Sequence, residues 1–217
     1  NTATTSDFVI NSVARVDFWD CGPLGQYCTG GTGPTSLTQA SSGASITLPG
    51  ANTLYKTGYS FTGWGETQNA GTVLTGSYTP STRIILFPQW TPNVYVVTYN
   101  ANGGNGAPTT ASQNFTYGST ALSPSAKGTL TRTGYTFAGW STTAIASGTI
   151  YSNSSDSIAG TTTTYTPSAS IILYAKWTAN TYAVTFDANN GNGTQMTNLS
   201  ITAGTAISLT ANSYSRT

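Results

Sequence analysis

Segments of one chemical pattern recur at fixed distances along this chain, and that recurrence limits its fold more than any other feature. An opening segment reads VYVVTYNANGGNG at 94–106 and TYAVTFDANNGNG at 181–193. A closing segment reads RIILFPQW at 83–90 and SIILYAKW at 170–177. The opening copies lie 87 residues apart, and so do the closing copies. Equal spacing of two landmarks predicts tandem units that share one fold.

A middle segment lies between the other two and completes the unit. It reads TGYSFTGW at 57–64 and TGYTFAGW at 133–140, and a degenerate opening copy, VARVDFWDCG, occupies 13–22. The third unit contains an opening segment but neither a middle nor a closing one. The landmarks divide the chain into an N-terminal extension and three units, which cover residues 1–11, 12–90, 93–177 and 180–217.

The opening segment alternates with a period of two, which is typical of a β-strand. Tyr95, Val97 and Tyr99 point to one side of it. The Asn-Gly run that follows needs positive φ angles and predicts a turn. A second strand is expected at 115–123 and at 199–209. No segment keeps a period of 3.6 over more than one turn, so we expect a mainly β fold.

Aromatic side chains are numerous enough to fill several small cores, since the chain has 5 Trp, 13 Tyr and 7 Phe. Small units need large side chains to build a core. We therefore interpret the rings of the middle and closing segments as core residues, with an exposed carbohydrate-binding platform as the alternative. Gly139 is expected to bulge its strand and turn the neighbouring indole inward. The rings are those of Tyr59, Phe61, Trp64, Trp90, Tyr135, Phe137, Trp140 and Trp177.

Charged residues make up 6% of the chain, against about a quarter in typical soluble proteins. Binding to nucleic acid needs clustered Lys or Arg, so no nucleic-acid partner is expected. Weak charge repulsion leaves self-association less opposed than usual. No apolar run reaches about 18 residues, so no membrane-spanning segment is expected.

The two cysteines, Cys21 and Cys28, lie in the segment DCGPLGQYCTGG. Gly and Pro between them suit a small looped disulfide. A metal site would lack ligands, because the chain has no His and no further Cys. Two unrelated free thiols are the remaining alternative. A disulfide would place the chain in an oxidising, extracytoplasmic compartment.

The sequence carries no recognisable pattern of catalytic residues. It has six acidic residues and no His, so the commonest general base is absent. Asp17 and Asp20 are close in sequence, but they lie at a strand end, where solvated acids are common. A glycosidase needs two facing carboxylates, and neither a phosphate-binding loop nor a nucleophile elbow is evident. We expect no enzymatic activity, no metal and no cofactor.

The motifs Y-x-V-T-[YF]-[ND]-A-N-G-G, R-T-G-Y-T-F-A-G-W and L-Y-A-K-W together resemble the Listeria–Bacteroides repeat, also known as the internalin B-repeat family. The resemblance is strong in 93–177 and weaker in 12–90, where Pro88 interrupts the closing strand. It implies compact modules similar to a β-grasp fold, which occur in tandem in large bacterial surface and secreted proteins. Such modules look like stalks or spacers, and adhesion or partner binding is proposed for some members. The family has no shared catalytic residues.

The joints between units have equal length and closely similar chemistry. They read WTPNVY at 90–95 and WTANTY at 177–182. Equal joints predict equal geometry, so we expect a rod of modules that contact mainly their neighbours. We interpret the chain as an extracellular structural protein of a bacterium, a surface stalk or a filament subunit. The alternative is an adhesin fragment that binds a glycan or a protein ligand.

The incomplete third unit is the candidate assembly element, because its inward side chains lack about half of their core. Two interpretations stay open: the chain is a piece of a longer repeat array, or another chain supplies the missing strands head to tail, as in donor-strand assembly. The segment TSDFVINSVARVDF at 5–18 is strand-like and is the candidate donor. The candidate assembly residues are Tyr182, Val184, Phe186, Ile201 and Leu209 in the third unit, and Phe8 and Ile10 in the donor segment.

Overall fold

The computed structural model describes residues 13–21, 28–145 and 148–216. Within these ranges the chain is almost entirely β: it contains no α-helix, and a single 3-10 turn occupies Ser154–Asp156. In chain order the strands are β1 (Arg15–Phe18), β2 (Leu37–Thr38), β3 (Ile46–Thr47), β4 (Tyr59–Gly65), β5 (Ser77–Tyr78), β6 (Ile84–Pro92), β7 (Val94–Asn100), β8 (Ser112–Thr116), β9 (Tyr135–Ser141), β10 (Ile171–Ala179), β11 (Thr181–Val184), β12 (Asn192–Gly193), β13 (Leu199–Thr202) and β14 (Tyr214–Ser215).

Contacts within the chain divide it into two compact units. Unit 1 comprises Asn1–Val94 together with Thr116–Gly118. Unit 2 comprises Tyr95–Phe115 and Ser119–Thr217.

Unit 1 is built on a four-stranded sheet with the order β2-β1-β6-β4. Its central strands, β1 and β6, are parallel, and Val16 lies opposite Ile84. The outer strands are antiparallel to their neighbours, β2 to β1 and β4 to β6. The opening, middle and closing segments therefore supply β1, β4 and β6.

The second sheet repeats this arrangement with the order β8-β7-β10-β9. β7 and β10 are parallel, and Val97 lies opposite Ile171, as Val16 lies opposite Ile84. β9 is antiparallel to β10. The expectation of a mainly β chain of tandem repeats is confirmed, whereas the finer likeness to a β-grasp fold stays a prediction.

A glycine before each core tryptophan shapes the middle strand. The register between β9 and β10 shifts opposite Lys176 and Trp177, next to Gly139. Gly139 has a φ of 116°, and a Cβ there would lie 2.6 Å from the carbonyl oxygen of Tyr151. Gly63 is confined in the same way, since its Cβ would lie 2.6 Å from the carbonyl oxygen of Leu74. Only glycine fits this bulge, as the sequence predicted for Gly139.

The two cores use the same aromatic geometry. Trp64 and Trp140 are 1% and 0% exposed, which confirms their predicted burial. Their indole nitrogens donate to the carbonyl oxygens of Pro49 and Ser125, each at 2.7 Å. Neighbouring Phe rings pack edge-on against both indoles of each repeat; the centroid distances are 5.3 Å for Phe61–Trp64, 5.6 Å for Phe61–Trp90, 5.2 Å for Phe137–Trp140 and 5.6 Å for Phe137–Trp177.

Trp90 and Trp177 pack against the two cores as expected of core residues, but they are only half-buried, unlike Trp64 and Trp140. Each lies towards the end of its closing strand and covers the margin of the core with one part of the ring. The Trp177 indole donates to the carbonyl oxygen of Ala101 at 3.0 Å. Because they are only half-buried, these two indole rings keep part of their surface accessible for other contacts.

The C-terminal segment forms two short strand pairs. β11 is antiparallel to β13, with Tyr182 opposite Ile201, and β12 is antiparallel to β14. The expectation of a strand from 199 to 209 is wrong beyond Thr202. The chain turns there because Gly204 adopts a φ of 78°, and the Thr205 N–H donates to the Thr202 carbonyl at 3.0 Å.

Candidate assembly interface

In unit 1, Asn93 follows the closing strand and makes three hydrogen bonds. Its N–H donates to the carbonyl oxygen of Gly58 at 2.8 Å. Its carbonyl oxygen accepts from the Tyr117 N–H at 2.9 Å. Its side-chain oxygen Oδ1 accepts from the Ser60 hydroxyl at 2.7 Å. One asparagine thus ties the middle strand to the turn around Tyr117.

In unit 2, Asn180 makes the same three bonds at the equivalent place. Its N–H donates to the Gly134 carbonyl at 2.8 Å, and its carbonyl accepts from the Ala203 N–H at 2.9 Å. Its Oδ1 accepts from the Thr136 hydroxyl at 2.7 Å. We call this three-bond arrangement, around Asn93 in unit 1 and Asn180 in unit 2, the asparagine clasp.

The motif before the middle strand forms the turn that receives the clasp. In both repeats the backbone N–H of the Tyr closes the turn. The Tyr59 N–H donates to the carbonyl oxygen of Lys56, and the Tyr135 N–H donates to the carbonyl oxygen of Arg132, each at 2.9 Å. The cation of each turn lies over its Tyr ring, at 4.3 Å for Lys56 and 4.2 Å for Arg132. The basic residue, the Gly and the Tyr of the repeated motif therefore have a local structural use.

Glycine is required at the centre of each of these turns. Gly58 and Gly134 have φ angles of 77° and 80°. A Cβ on Gly58 would lie 2.3 Å from the Tyr117 ring, and one on Gly134 would lie 2.9 Å from the Cβ of Ala203. A side chain here would push the turns apart. The sequence signalled equal joints, but it did not identify the asparagine that makes the bonds.

A buried polar residue in each closing strand anchors the loop after the middle strand. Gln89 is 7% exposed; its Nε2 donates to the Thr67 carbonyl at 2.8 Å, and its Oε1 accepts from the Ala70 N–H at 3.2 Å. Lys176 occupies the matching position, is 8% exposed and donates from Nζ to the Ile145 carbonyl. Sequence reasoning missed this shared role because Gln and Lys look unrelated.

The edge of β11 is the second feature of the candidate assembly interface, after the asparagine clasp. In the described part of the chain β11 pairs with β13 alone, whereas the corresponding strand β7 also pairs with β10. Tyr182 on β11 is 51% exposed. An edge strand of this kind offers free backbone groups to a further strand.

The other candidate assembly residues lie at different depths. Val184, Phe186 and Ile201 are half-buried. Leu209 is 68% exposed and lies outside any strand, because the strand expected from 199 to 209 ends at Thr202. Phe8 and Ile10 lie outside the described residues.

Cys21 and Cys28 are joined in a disulfide with their Cα atoms 5.0 Å apart. Cys28 is 2% exposed and belongs to the core of unit 1 with Val16 and Leu86. Cys21 packs against the same core. The bridge therefore holds the end of the opening segment to the core.

The described residues offer little material for chemistry. They contain no group of three Cys, Asp or Glu side chains close enough to hold a metal ion. Hydrogen bonding to Ser36 and to the Arg83 guanidinium lowers the pKa of Asp17 to about 2. Burial and a hydrogen bond to Glu66 raise the pKa of Tyr78 to about 12. Both groups thus keep their usual charge state near neutral pH.

Comparison with known proteins identifies the repeat. Residues 26–87 and 95–176 match the Listeria-Bacteroides repeat domain, and together they make up more than half of the chain. The chain belongs to the Listeria-Bacteroides repeat family. The second matched repeat contains the second four-stranded sheet apart from the ends of β7 and β10, whereas the first match begins after β1 and contains β2, β4 and the first part of β6.

Two relatives come from Evansella cellulosilytica. The chain is 30% identical over 175 residues to a "Putative Gly-rich membrane protein", an alignment that covers 77% of this chain and 19% of the relative. It is 31% identical over 141 residues to a "Putative membrane protein", covering 63% of this chain and 18% of that relative. The chain thus spans about a fifth of the length of these relatives.

No solved structure matches the chain. In the part of the chain that the structure describes, no helix is long and apolar enough to cross a membrane.

Proposed function

We propose that this chain is a structural segment of a bacterial surface protein, in which Listeria-Bacteroides repeats build a stalk or a filament. The observation that carries the proposal is the asparagine clasp, formed with the same three bonds around Asn93 and Asn180. A hydrogen-bond arrangement that recurs in detail at equivalent places of successive repeats is what a repeating structural element requires.

Three further observations support a surface role without enzymatic activity. The relatives carry the words "membrane protein" in their names. The Cys21–Cys28 disulfide is typical of an oxidising compartment. Asp17, one of the two neighbouring acids that the sequence offers for catalysis, forms ion pairs with Arg15 and Arg83.

The proposal extends to head-to-tail assembly through the edge of β11. In the second repeat, β7 holds β10 in parallel through pairs such as Val97 with Ile171 and Tyr99 with Leu173. By the repeat alignment, Val184 and Phe186 correspond to Val97 and Tyr99. A strand with large apolar residues at alternate positions would complete this edge. The segment around Phe8 and Ile10 of a second copy has that pattern.

A charge on the β11 edge tests this assembly. Tyr182→Lys places an exposed cation on the edge strand, and charged edges oppose strand addition. Leu209→Lys is the matched control, because Leu209 is also exposed but lies outside any strand. Negative-stain microscopy of the whole chain is expected to show polymers for the parent and Leu209→Lys, and none for Tyr182→Lys.

Two results would count against assembly through this edge. Polymers of unchanged length in Tyr182→Lys would exclude the β11 edge as the contact. A parent chain that stays monomeric in sedimentation at high concentration would exclude self-assembly. That result would not contradict the structural role of the clasp within each repeat.

A second candidate function, adhesion, is favoured by one observation. Unit 2 has a groove lined by aromatic and charged side chains, including Tyr135, Trp177 and Asp156. Recognition of a ligand there is compatible with a structural repeat, because no residue of β11 lines the groove.

A further inference from the structure

The groove of unit 2 lies between the turn before β9 and the loop around Asp156. Its volume is about 690 Å³, within the usual range for small-molecule sites. Phe137 and Trp177 contribute to its apolar lining, and Tyr135 lines it beside Arg132. The Trp177 indole N–H already donates to the Ala101 carbonyl oxygen, so Trp177 can contact a ligand only with the surface of its ring.

Charge is concentrated in this groove in a chain that has very little of it. The whole chain has 7 basic and 6 acidic residues. Lys127, Arg132 and Asp156 all line the same groove. In the part of the chain that the structure describes, neither cation forms an ion pair with a carboxylate. The Arg132 guanidinium lies over the Tyr135 ring and donates to the Asn102 carbonyl at 3.5 Å, but neither its charge nor that of Lys127 is neutralised by a carboxylate, so both cations can bind an anionic group of a ligand.

The far wall of the groove is an insertion that the first repeat does not have. Trp64 and Trp90 are 26 residues apart, whereas Trp140 and Trp177 are 37 residues apart. The extra residues include the 3-10 turn Ser154–Asp156. Since the first repeat forms the same sheet without this insertion, the fold does not require it.

The insertion is held in place by specific hydrogen bonds. Asn153 caps the turn by accepting from the Ser155 N–H at 3.0 Å, and it donates to the Pro124 carbonyl at 2.7 Å. Both carboxylate oxygens of Asp156 accept from the Lys127 N–H, at 3.1 and 3.2 Å. Ser157 has a φ of 52°, an uncommon conformation for a residue with a side chain. The wall is therefore ordered at the cost of local strain.

We propose that this groove binds an acidic saccharide, such as a unit of a uronic-acid polysaccharide. The apolar face of a sugar ring would pack on Trp177 and Tyr135, as apolar faces pack on aromatic rings. Its carboxylate would bind Lys127 and Arg132 through charge-assisted hydrogen bonds. Thr133 lines the groove and offers its hydroxyl to the sugar hydroxyls, while the Thr136 hydroxyl, which donates to Asn180, can still accept from one. This inference adds a ligand to the structural function and does not depend on self-assembly.

Titration calorimetry with trigalacturonate as the probe tests the proposal, and the neutral trisaccharide cellotriose is the matched ligand control. The whole unmodified chain is used, at a concentration at which sedimentation shows no self-association. Trigalacturonate is expected to bind, more weakly as salt is raised, since exposed charges are screened. Cellotriose is expected to bind about tenfold more weakly or not at all, because it lacks the charge-assisted bonds.

Variants locate the site. Lys127→Gln with Arg132→Gln is expected to weaken binding by at least about tenfold, through loss of both charge-assisted contacts. Lys56→Gln removes the matching cation over Tyr59 in unit 1 and is expected to leave affinity unchanged. Lys127→Arg with Arg132→Lys keeps both charges and is expected to retain binding. Thermal melting of each variant checks that the fold persists.

Three outcomes would overturn the inference. The first is no heat of binding with trigalacturonate. The second is binding of cellotriose, or of a tri-glutamate peptide, with the same affinity as trigalacturonate. That result would mean that the groove does not select for a sugar with a carboxylate. The third is unchanged affinity in the folded Lys127→Gln, Arg132→Gln variant, which would place the ligand elsewhere.

Discussion

At the scale of single residues, the neighbours of Asp17 change its ionisation clearly. The Arg15 and Arg83 guanidinium groups lie 2.6 and 2.8 Å from its carboxylate oxygens. Hydrogen bonding with Ser36, and then with Arg83, lowers its pKa from 3.8 to about 2. We expect its carboxyl carbon to titrate in NMR spectra with a midpoint near pH 2, and Arg83→Gln to raise that midpoint.

The sign of the stability change follows from the same pKa shift. As pH falls, the unfolded chain binds the Asp17 proton first, near 3.8, while the folded chain resists protonation until about 2. The contribution of Asp17 to stability is therefore complete above its unfolded pKa and is lost as pH falls through that window. An Asp17 midpoint near 3.8 in the folded protein would contradict the arrangement around β1.

Trp140 is the residue whose loss should damage unit 2 most. It is 0% exposed, packs on Phe137 and Tyr99, and donates its indole N–H to Ser125. Trp140→Ala removes a large buried ring and is expected to cost about 3–5 kcal/mol of unfolding free energy. Denaturant unfolding measures it, with Tyr182→Ala as the exposed control. Equal midpoints for Trp140→Ala and the parent would mean that the ring is not part of the core.

At the scale of elements, the disulfide acts on the loop between the opening strand and β2. The bridge closes a short loop with a sequence separation of 7 residues. Loops of this size are expected to add only about 2 kcal/mol, because little chain entropy is removed from the unfolded state. Unfolding with and without reductant measures the contribution. Two thiols alkylated in the native protein without reductant would show that the bridge is absent.

The clasp makes a prediction about the C-terminal strand pair. Asn180→Ala removes the Oδ1 acceptor of Thr136 but keeps the two backbone bonds. We expect faster hydrogen exchange at the Ala203 N–H, since the backbone around Asn180 loses its side-chain anchor. Asn198→Ala is the control, because Asn198 is an exposed residue of the same segment outside the clasp. Unchanged exchange at Ala203 would mean that the side chain contributes nothing to the joint.

The sequence predicted the elements whose residues repeat, and missed those that depend on distant contacts. Alternation and spacing predicted β7 and β10 because each pattern is local to its strand. Leu209 was assigned to a strand because the turn at Gly204 looks like part of a continuous β-prone run. The groove was not predicted because its wall depends on the contact of Asp156 with Lys127, which is 29 residues away. The sequence around each of these two residues gives no indication that they are in contact.

At the scale of the whole molecule, low charge and an open strand edge both favour self-association. Charged residues are 6% of the chain, so repulsion between copies is weak. β11 presents an edge with the exposed Tyr182 at its centre. Pairing of this edge with the N-terminal segment of another copy would join unlike surfaces, and a head-to-tail contact of that kind builds an open filament when its rotation does not close a ring.

Deletion of residues 180–217 separates the assembly role of the C-terminal segment from its part in folding. Among the described strands, those of the two four-stranded sheets pair with one another and not with β11–β14. The truncated chain is therefore expected to keep both sheets, with near-parental far-ultraviolet circular dichroism and cooperative melting. Loss of the β11 edge should leave it monomeric in sedimentation under conditions in which the whole chain polymerises. Polymers of the same form from the truncated chain would mean that the C-terminal segment is not the assembly device.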